Sequence, residues 1–171
     1  METWDALRSR RNVRQFTDQP IAREHLERIL EAARRSPSST NRQRWDFVVC
    51  TDRQQLQQLS RVWHAAGHVA TSAATIVLLA PQADDPDTRA SIEYDLGQVT
   101  MSIMIVAADL GIGSGHASVG DQDLARRILG HPRDRRCVRM IALGHPAGRP
   151  LAPVRNLDRR PFDDVVHWQR W

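Results

Sequence analysis

A chain of 171 residues with 41% hydrophobic content is long enough for one domain with a real core and too apolar to stay disordered. Its 24 basic residues are all arginine and exceed the 20 acidic ones by a net charge of +4, a weak warrant for a nucleic-acid partner. The longest wholly apolar run, Ile103 to Ala108, is far short of a membrane span, and the polar, acidic Met1–Asp5 start lacks a signal-peptide pattern. A soluble, cytoplasmic protein is the expectation, with no membrane and no nucleic-acid partner.

Residues 2 to 10 can form a first helix. Residues 23 to 35 form a stronger one, with Leu26, Ile29, Leu30 and Ala33 on one stripe. Pro37 ends it, because the residue before a proline is pushed out of helical geometry. Residues 45 to 51 read as a strand, 53 to 63 as a helix and 75 to 80 as a buried strand. Gly67 breaks the chain between the last two, and a short helical turn follows it.

The loop at 81 to 86 precedes the longest helix, about 88 to 110. Ile92, Leu96, Val99, Ile103, Val106 and Leu110 make its first stripe; Met101, Ile105 and Ala108 add a second. A helix apolar on nearly all sides must be buried on nearly all sides, and a partner subunit is one way to achieve that.

Residues 111 to 120 read as a glycine-rich loop. Asp121 then caps a helix carrying Leu124, Ile128 and Leu129, closed by Gly130 and Pro132. Residues 137 to 143 are the third clear strand. The tail from Gly144 is rich in Pro and Arg, with a short helix expected within 162 to 168. These elements predict an α+β architecture with a small sheet.

The glycine loop fails the dinucleotide fingerprint, since His116 and Ser118 stand where a third glycine would be required. It reads either as a plain connection or as backbone that must approach a flat ligand closely. The seven histidines show no metal spacing, and Cys50 and Cys137 read as small buried hydrophobes. With no nucleophile motif, any catalysis would belong to a cofactor. Two arginine clusters remain: Arg8, Arg10, Arg11 and Arg14, and then Arg155, Arg159 and Arg160. Solvated surface is the usual fate of such runs; a phosphate site is the alternative. SPSSTNRQRW (36 to 45) places several short polar side chains between helix and strand.

The stretches RRNVRQF (10 to 16), SPSSTNRQRWDFVV (36 to 49), YDLG (94 to 97), LGIGS (110 to 114), ALGHP (142 to 146) and RRPFDDVVHW (159 to 168) resemble, in order, the nitroreductase family. The resemblance implies a single FMN-binding domain over 1–171 in an intertwined homodimer. Its small, mainly antiparallel sheet is flanked by helices, and the tail from about 146 packs on the partner subunit. Carried over by motif, Arg10, Arg11, Asn12 and Arg14 hold the FMN phosphate and ribityl region, with Arg159 and Arg160 closing on it. Ser38, Ser39 and Asn41 come from the other subunit. Val119 and Gly120 offer backbone N–H groups beside the flavin. Asn12, Arg44 and Val119 depart from the usual Ser, Pro and Gly or Glu.

The implied activity is an FMN-dependent NAD(P)H oxidoreductase passing electrons to a nitroaromatic, quinone or similar small acceptor. A dehydrogenase or reductive dehalogenase of the same fold, and a non-catalytic basic module binding polyanions, stand as alternatives.

Overall fold

The computed structural model describes residues 1–154 and 158–171. Arg155, named above with the second arginine cluster, lies outside the described residues. Among the described residues, five α-helices pack around one four-stranded sheet: α1 (Thr3–Ser9), α2 (Arg23–Arg34), β1 (Asp46–Cys50), α3 (Arg53–Leu59), β2 (Ala74–Pro81), α4 (Pro86–Asp109), β3 (Gly113–Ala117), α5 (Gln122–Leu129) and β4 (Arg135–Gly144). The strand order is β1-β2-β4-β3, and every neighbouring pair is antiparallel.

The two central strands explain the apolar runs. In β2, Val77 and Leu79 face one side and Ile76, Leu78 and Ala80 the other, and all are buried. A strand covered on both faces reads as a continuous hydrophobic run instead of an alternation. On the first side Leu56 and Leu59 of α3 and Ala125 of α5 complete a core with Cys137 and Met140. On the second, Ile29 and Ala33 of α2 pack with Ile92, Leu96, Val99, Ile103 and Ala107 of α4.

Local signals place the helix starts. Asp52, Asp85 and Asp121 each accept an N–H from the third residue on, at 2.8 Å. Gly130 closes α5 in the left-handed region, φ +68°. α2 stops at Arg34, ahead of Pro37. α3 ends at Leu59, four residues short of the sequence expectation. The Val62 carbonyl is turned outward there to accept the N–H groups of Gly120 and Asp121, each at 2.9 Å.

The glycine-rich stretch differs most from expectation. Gly111, at φ +72°, ends α4, and residues 113–117 then form an edge strand on β4. The glycines hid the strand because they carry no side-chain alternation. Their reason is steric. A Cβ at Gly113 would stand 2.8 Å from Val13 Cγ2, and one at Gly115 only 2.3 Å from the Val13 carbonyl oxygen. The absent side chains admit the N-terminal segment, so the close approach is made by the protein's own backbone.

The second face of α4 is half covered within the chain. Ala108 is buried and Met101 and Ile105 are intermediate, with α1 lying alongside. Trp4, Tyr94, Phe162 and Trp168 are each more than 60% exposed. The expected helix near the C-terminus is a single turn, Phe162–Asp164. Among the described residues no helix is long and apolar enough to cross a membrane.

Candidate functional site

After α1 the chain runs extended and is clamped on both sides. Val13 N–H donates to the Ser114 carbonyl at 2.8 Å, and Asn12 pairs with Ser114 as a parallel bridge. Phe16 pairs with Pro146, Ala147 N–H donates to Gln15 O at 3.0 Å, and Val154 N–H donates to Arg8 O at 3.1 Å. Val13 and Phe16 are buried as pegs, which leaves Arg10, Arg11, Asn12 and Arg14 on the outer side. Arg11, Asn12 and Arg14 line a groove of about 320 Å³ with Gly148 and Arg149.

The charge around this segment is uncompensated. Some arginines elsewhere find acids, among them Arg23 with Glu27, Arg34 and Arg35 with Glu31, Arg135 with Asp46, and Arg136 with Glu93. Among the described residues Arg10, Arg11 and Arg14 pair with no carboxylate. Arg11 donates instead to the Arg149 carbonyl, and its guanidinium is held below its ordinary pKa by burial and then by the Arg149 charge. The Arg10 Nε is buried with no partner. Three arginines and an amide within five residues, paired with no acid among the described residues, are the kind of donors a phosphate requires.

Beside them lies a second groove, also about 320 Å³, between α4 and the β3–β4 edge. Leu96, Met101, Met104 and Val138 make it apolar; Thr100, His116 and Arg139 give it polar edges. Arg139 Nη1 donates to Ser118 Oγ at 2.7 Å. The exposed His116 is pushed below its ordinary pKa by partial burial, then by Arg139, Arg14, Arg10 and His68. His68 is buried behind β3, with Nε2 3.3 Å from the Gly115 carbonyl oxygen. It too is lowered, first by burial, with the Arg14 charge acting the same way. Sequence reasoning missed His68, His116 and Arg139. For His116 the signal was the strand pattern of residues 113–117, which the glycines concealed.

The SPSSTNRQRW loop is tightly built. Thr40, Asn41 and Gln43 all hold positive φ, near +50°, a region costly for non-glycine residues. Several bonds hold that shape. Ser38 Oγ accepts the Gln43 N–H at 2.9 Å, Ser36 Oγ donates to Ser102 Oγ at 2.8 Å, and the buried Asp95 accepts the Ser39 N–H at 3.1 Å. Arg44, where the family pattern has Pro, donates to Ser91 Oγ on α4 at 3.1 Å and so ties the loop's exit to that helix. The Ser39 hydroxyl and the Asn41 side-chain amide are exposed and have no protein partner among the described residues. Among the described residues no hydrogen bond joins Ser38, Ser39 or Asn41 to the Arg10–Arg14 segment of the same chain.

The remaining candidates divide. The Val119 N–H has no acceptor among the described residues. Gly120 differs from expectation, since its N–H is already given to Val62. What Gly120 supplies is close packing: a Cβ there would meet Trp63 at 2.6 Å. Arg159 and Arg160 are exposed and bond to the tail carbonyls of Asp158 and Asp164. No hydrogen bond or ion pair among the described residues joins them to Arg10–Arg14.

The sequence signature of the Nitroreductase family matches residues 7–71. A protein of Archaeoglobus fulgidus with a provisional NADH dehydrogenase/NAD(P)H nitroreductase name is 30% identical over 172 residues, 95% of each chain. The chain belongs to the nitroreductase family. The chain is also 30% identical over 195 residues to the Bacillus subtilis protein named FMN reductase (NAD(P)H), over 99% of this chain and 74% of the relative. A solved FMN-dependent nitroreductase of Clostridium difficile superposes on it with a TM-score of 0.84 at 23% identity, over 97% of this chain and 98% of that one. At that identity the likeness establishes the fold, the α+β arrangement of a small antiparallel sheet between helices.

Proposed function

We propose that this member of the nitroreductase family is an FMN-dependent NAD(P)H oxidoreductase that works as a homodimer and reduces a small acceptor such as a nitroaromatic or quinone. The observation that carries the reading is the group of Arg10, Arg11, Asn12 and Arg14, paired with no acid among the described residues, on a chain that also carries an apolar groove against α4. The names of its relatives support the same cofactor and reductant.

FMN, when bound, supplies the two-electron chemistry that the protein's own side chains lack. Arg10, Arg11 and Arg14 neutralise the phosphate dianion through charge-assisted hydrogen bonds, and Asn12 donates beside them. The groove over Leu96, Met101 and Met104 is suited to a flat apolar ring, with His116 and Arg139 at its polar edge. Val119 offers an N–H that has no acceptor among the described residues. Ser38, Ser39 and Asn41 act from a second copy, with the Ser39 and Asn41 groups exposed on a loop that the Ser38 hydroxyl braces. Arg159 and Arg160, at the exposed end of the chain, close on the phosphate side. A partner also covers Trp4, Tyr94, Trp168 and the half-exposed face of α4.

An absorbance spectrum before and after anaerobic NADH or NADPH tests the reading. Bound-flavin bands that bleach with nucleotide are the expected result. A purified protein that takes up no FMN overturns it.

A further inference from the structure

We infer that Arg44 and Asp95 are positioning residues for the cofactor site of a second copy: they fasten the 36–45 loop to α4 in the shape that presents Ser39 and Asn41. The inference rests on the FMN-binding homodimer proposed above.

α4 carries a polar stripe along one side. Ser91, Asp95 and Ser102 stand at i, i+4 and i+11, which puts them on one line of the helix surface. Each holds a different point of the loop. Ser102 Oγ accepts from Ser36 Oγ at 2.8 Å where the loop begins. Asp95 accepts the Ser39 N–H at 3.1 Å in its middle. Ser91 Oγ accepts from Arg44 Nη2 at 3.1 Å where it ends.

The backbone between these ties takes a shape that side chains disfavour. Thr40, Asn41 and Gln43 lie at φ +50°, +54° and +48°, and for a β-branched residue such as Thr40 that region is an outlier. The ties have their own cost. Asp95 is 3% exposed, and among the described residues its carboxylate accepts only the Ser39 N–H. A carboxylate has about four acceptor sites, so burying one this sparsely filled lowers stability. Arg44 Nε is buried with no hydrogen-bond partner. A plain connection between α2 and β1 needs neither group. The gain lies on the outer side, where the Ser39 hydroxyl and the Asn41 amide stand exposed with no protein partner among the described residues. Strained backbone that its surroundings hold in place is a device of binding sites.

The stripe's place on α4 says which molecule those groups meet. At about 100° per residue, Tyr94, Met101 and Ile105 form the next face round the helix, on the side away from Ile92, Val99 and Ile103. Tyr94 is exposed there and Met101 and Ile105 are intermediate, so this is the open face of α4. A second copy seated on it is bordered by the loop.

The test is a fluorescence titration of flavin-free protein with FMN. Arg44→Ala and Ser91→Ala should each weaken binding by about tenfold, and the double variant by no more than either alone, because one hydrogen bond is lost in all three. Arg44→Lys, which can still donate to Ser91, should stay close to the parent. Asp95→Asn keeps an oxygen for the Ser39 N–H and should do the same, whereas Asp95→Leu should bind FMN weakly; if the Asp95 variants fail to fold, Arg44→Ala still decides. A mixed dimer separates positioning from a structural role. Differently tagged Arg44→Ala and Arg14→Ala copies are co-expressed and purified on both tags. One site of that dimer carries both lesions and the other carries none, so about half the sites should bind FMN with parent affinity. Arg44→Ala protein that binds FMN as tightly as the parent overturns the inference and leaves the cofactor reading standing. A mixed dimer with no site of parent affinity also overturns it, since the loop would then serve its own chain. Parent protein that takes up no FMN, or yields no doubly tagged dimer, overturns the reading beneath it as well.

Discussion

Replacing Gly115 with Ala tests how the arginine segment is held. The added methyl would sit 2.3 Å from the Val13 carbonyl oxygen and 3.2 Å from His68 Cδ2. The first neighbour is backbone and cannot rotate away, so β3 or residues 12–14 must shift. Overpacking of this kind costs about 1–3 kcal/mol. Losing the Val13–Ser114 hydrogen bond adds about 1 kcal/mol. The sum, about 2–4 kcal/mol, lowers the melting temperature by about 5–12 °C for a chain of this size. The same shift misplaces Arg10 and Arg14, and loss of one charge-assisted bond weakens anion binding by about tenfold or more. Thermal melts of flavin-free protein and a fluorescence titration with FMN measure the two effects. Gly67→Ala is the control, because its added methyl would meet nothing within 4 Å, and it should stay within about 1 kcal/mol of the parent. A Gly115→Ala protein that melts within about 2 °C of the parent and binds FMN equally well would refute the argument.

Arg14→Ala should weaken FMN binding by about ten- to a hundredfold while leaving the melting point of the flavin-free protein unchanged or higher, because no ion pair is lost; equal FMN affinity would remove Arg14 from the site. Asp95→Ala takes the acceptor from the Ser39 N–H and should cost about 1–3 kcal/mol, with faster hydrogen exchange at residues 39–43; unchanged exchange would show that Asp95 does not hold the loop. Burial pushes the Cys50 thiol up to about 11 and the Cys137 thiol up to about 12 from 9.0. Both should resist a thiol reagent at neutral pH until the protein unfolds. Their contribution to stability is complete below pH 9 and is lost as pH rises through the folded values. Labelling of either thiol in folded protein at neutral pH would contradict their burial.

α2, α4, β2 and β4 are legible from the sequence because their signals are local. Apolar spacing marks the buried face, and Asp121 and Gly130 mark the ends of α5 through hydrogen bonds only a few residues long. β3 is not legible. Its glycines answer to Val13, about a hundred residues away, and no local pattern records that contact. The same separation hides His116, which reaches the α4 groove only because β3 pairs with β4. The family pattern makes Gly120 an N–H donor to the flavin, but its distant partner, the Val62 carbonyl, has already taken that hydrogen.

The sequence by itself determined the helices, the apolar strands and the family pattern, since each depends on residue type and short-range spacing. It also determined that Arg10, Arg11, Asn12 and Arg14 stand together. Only the tertiary structure decided which arginines are neutralised. Pairing of Arg23 with Glu27 follows from helical spacing, but Arg135 finds Asp46 across 89 residues of chain. Charge compensation acts through space, so the acid-free cluster on which the proposed site rests emerges only when the whole chain is folded.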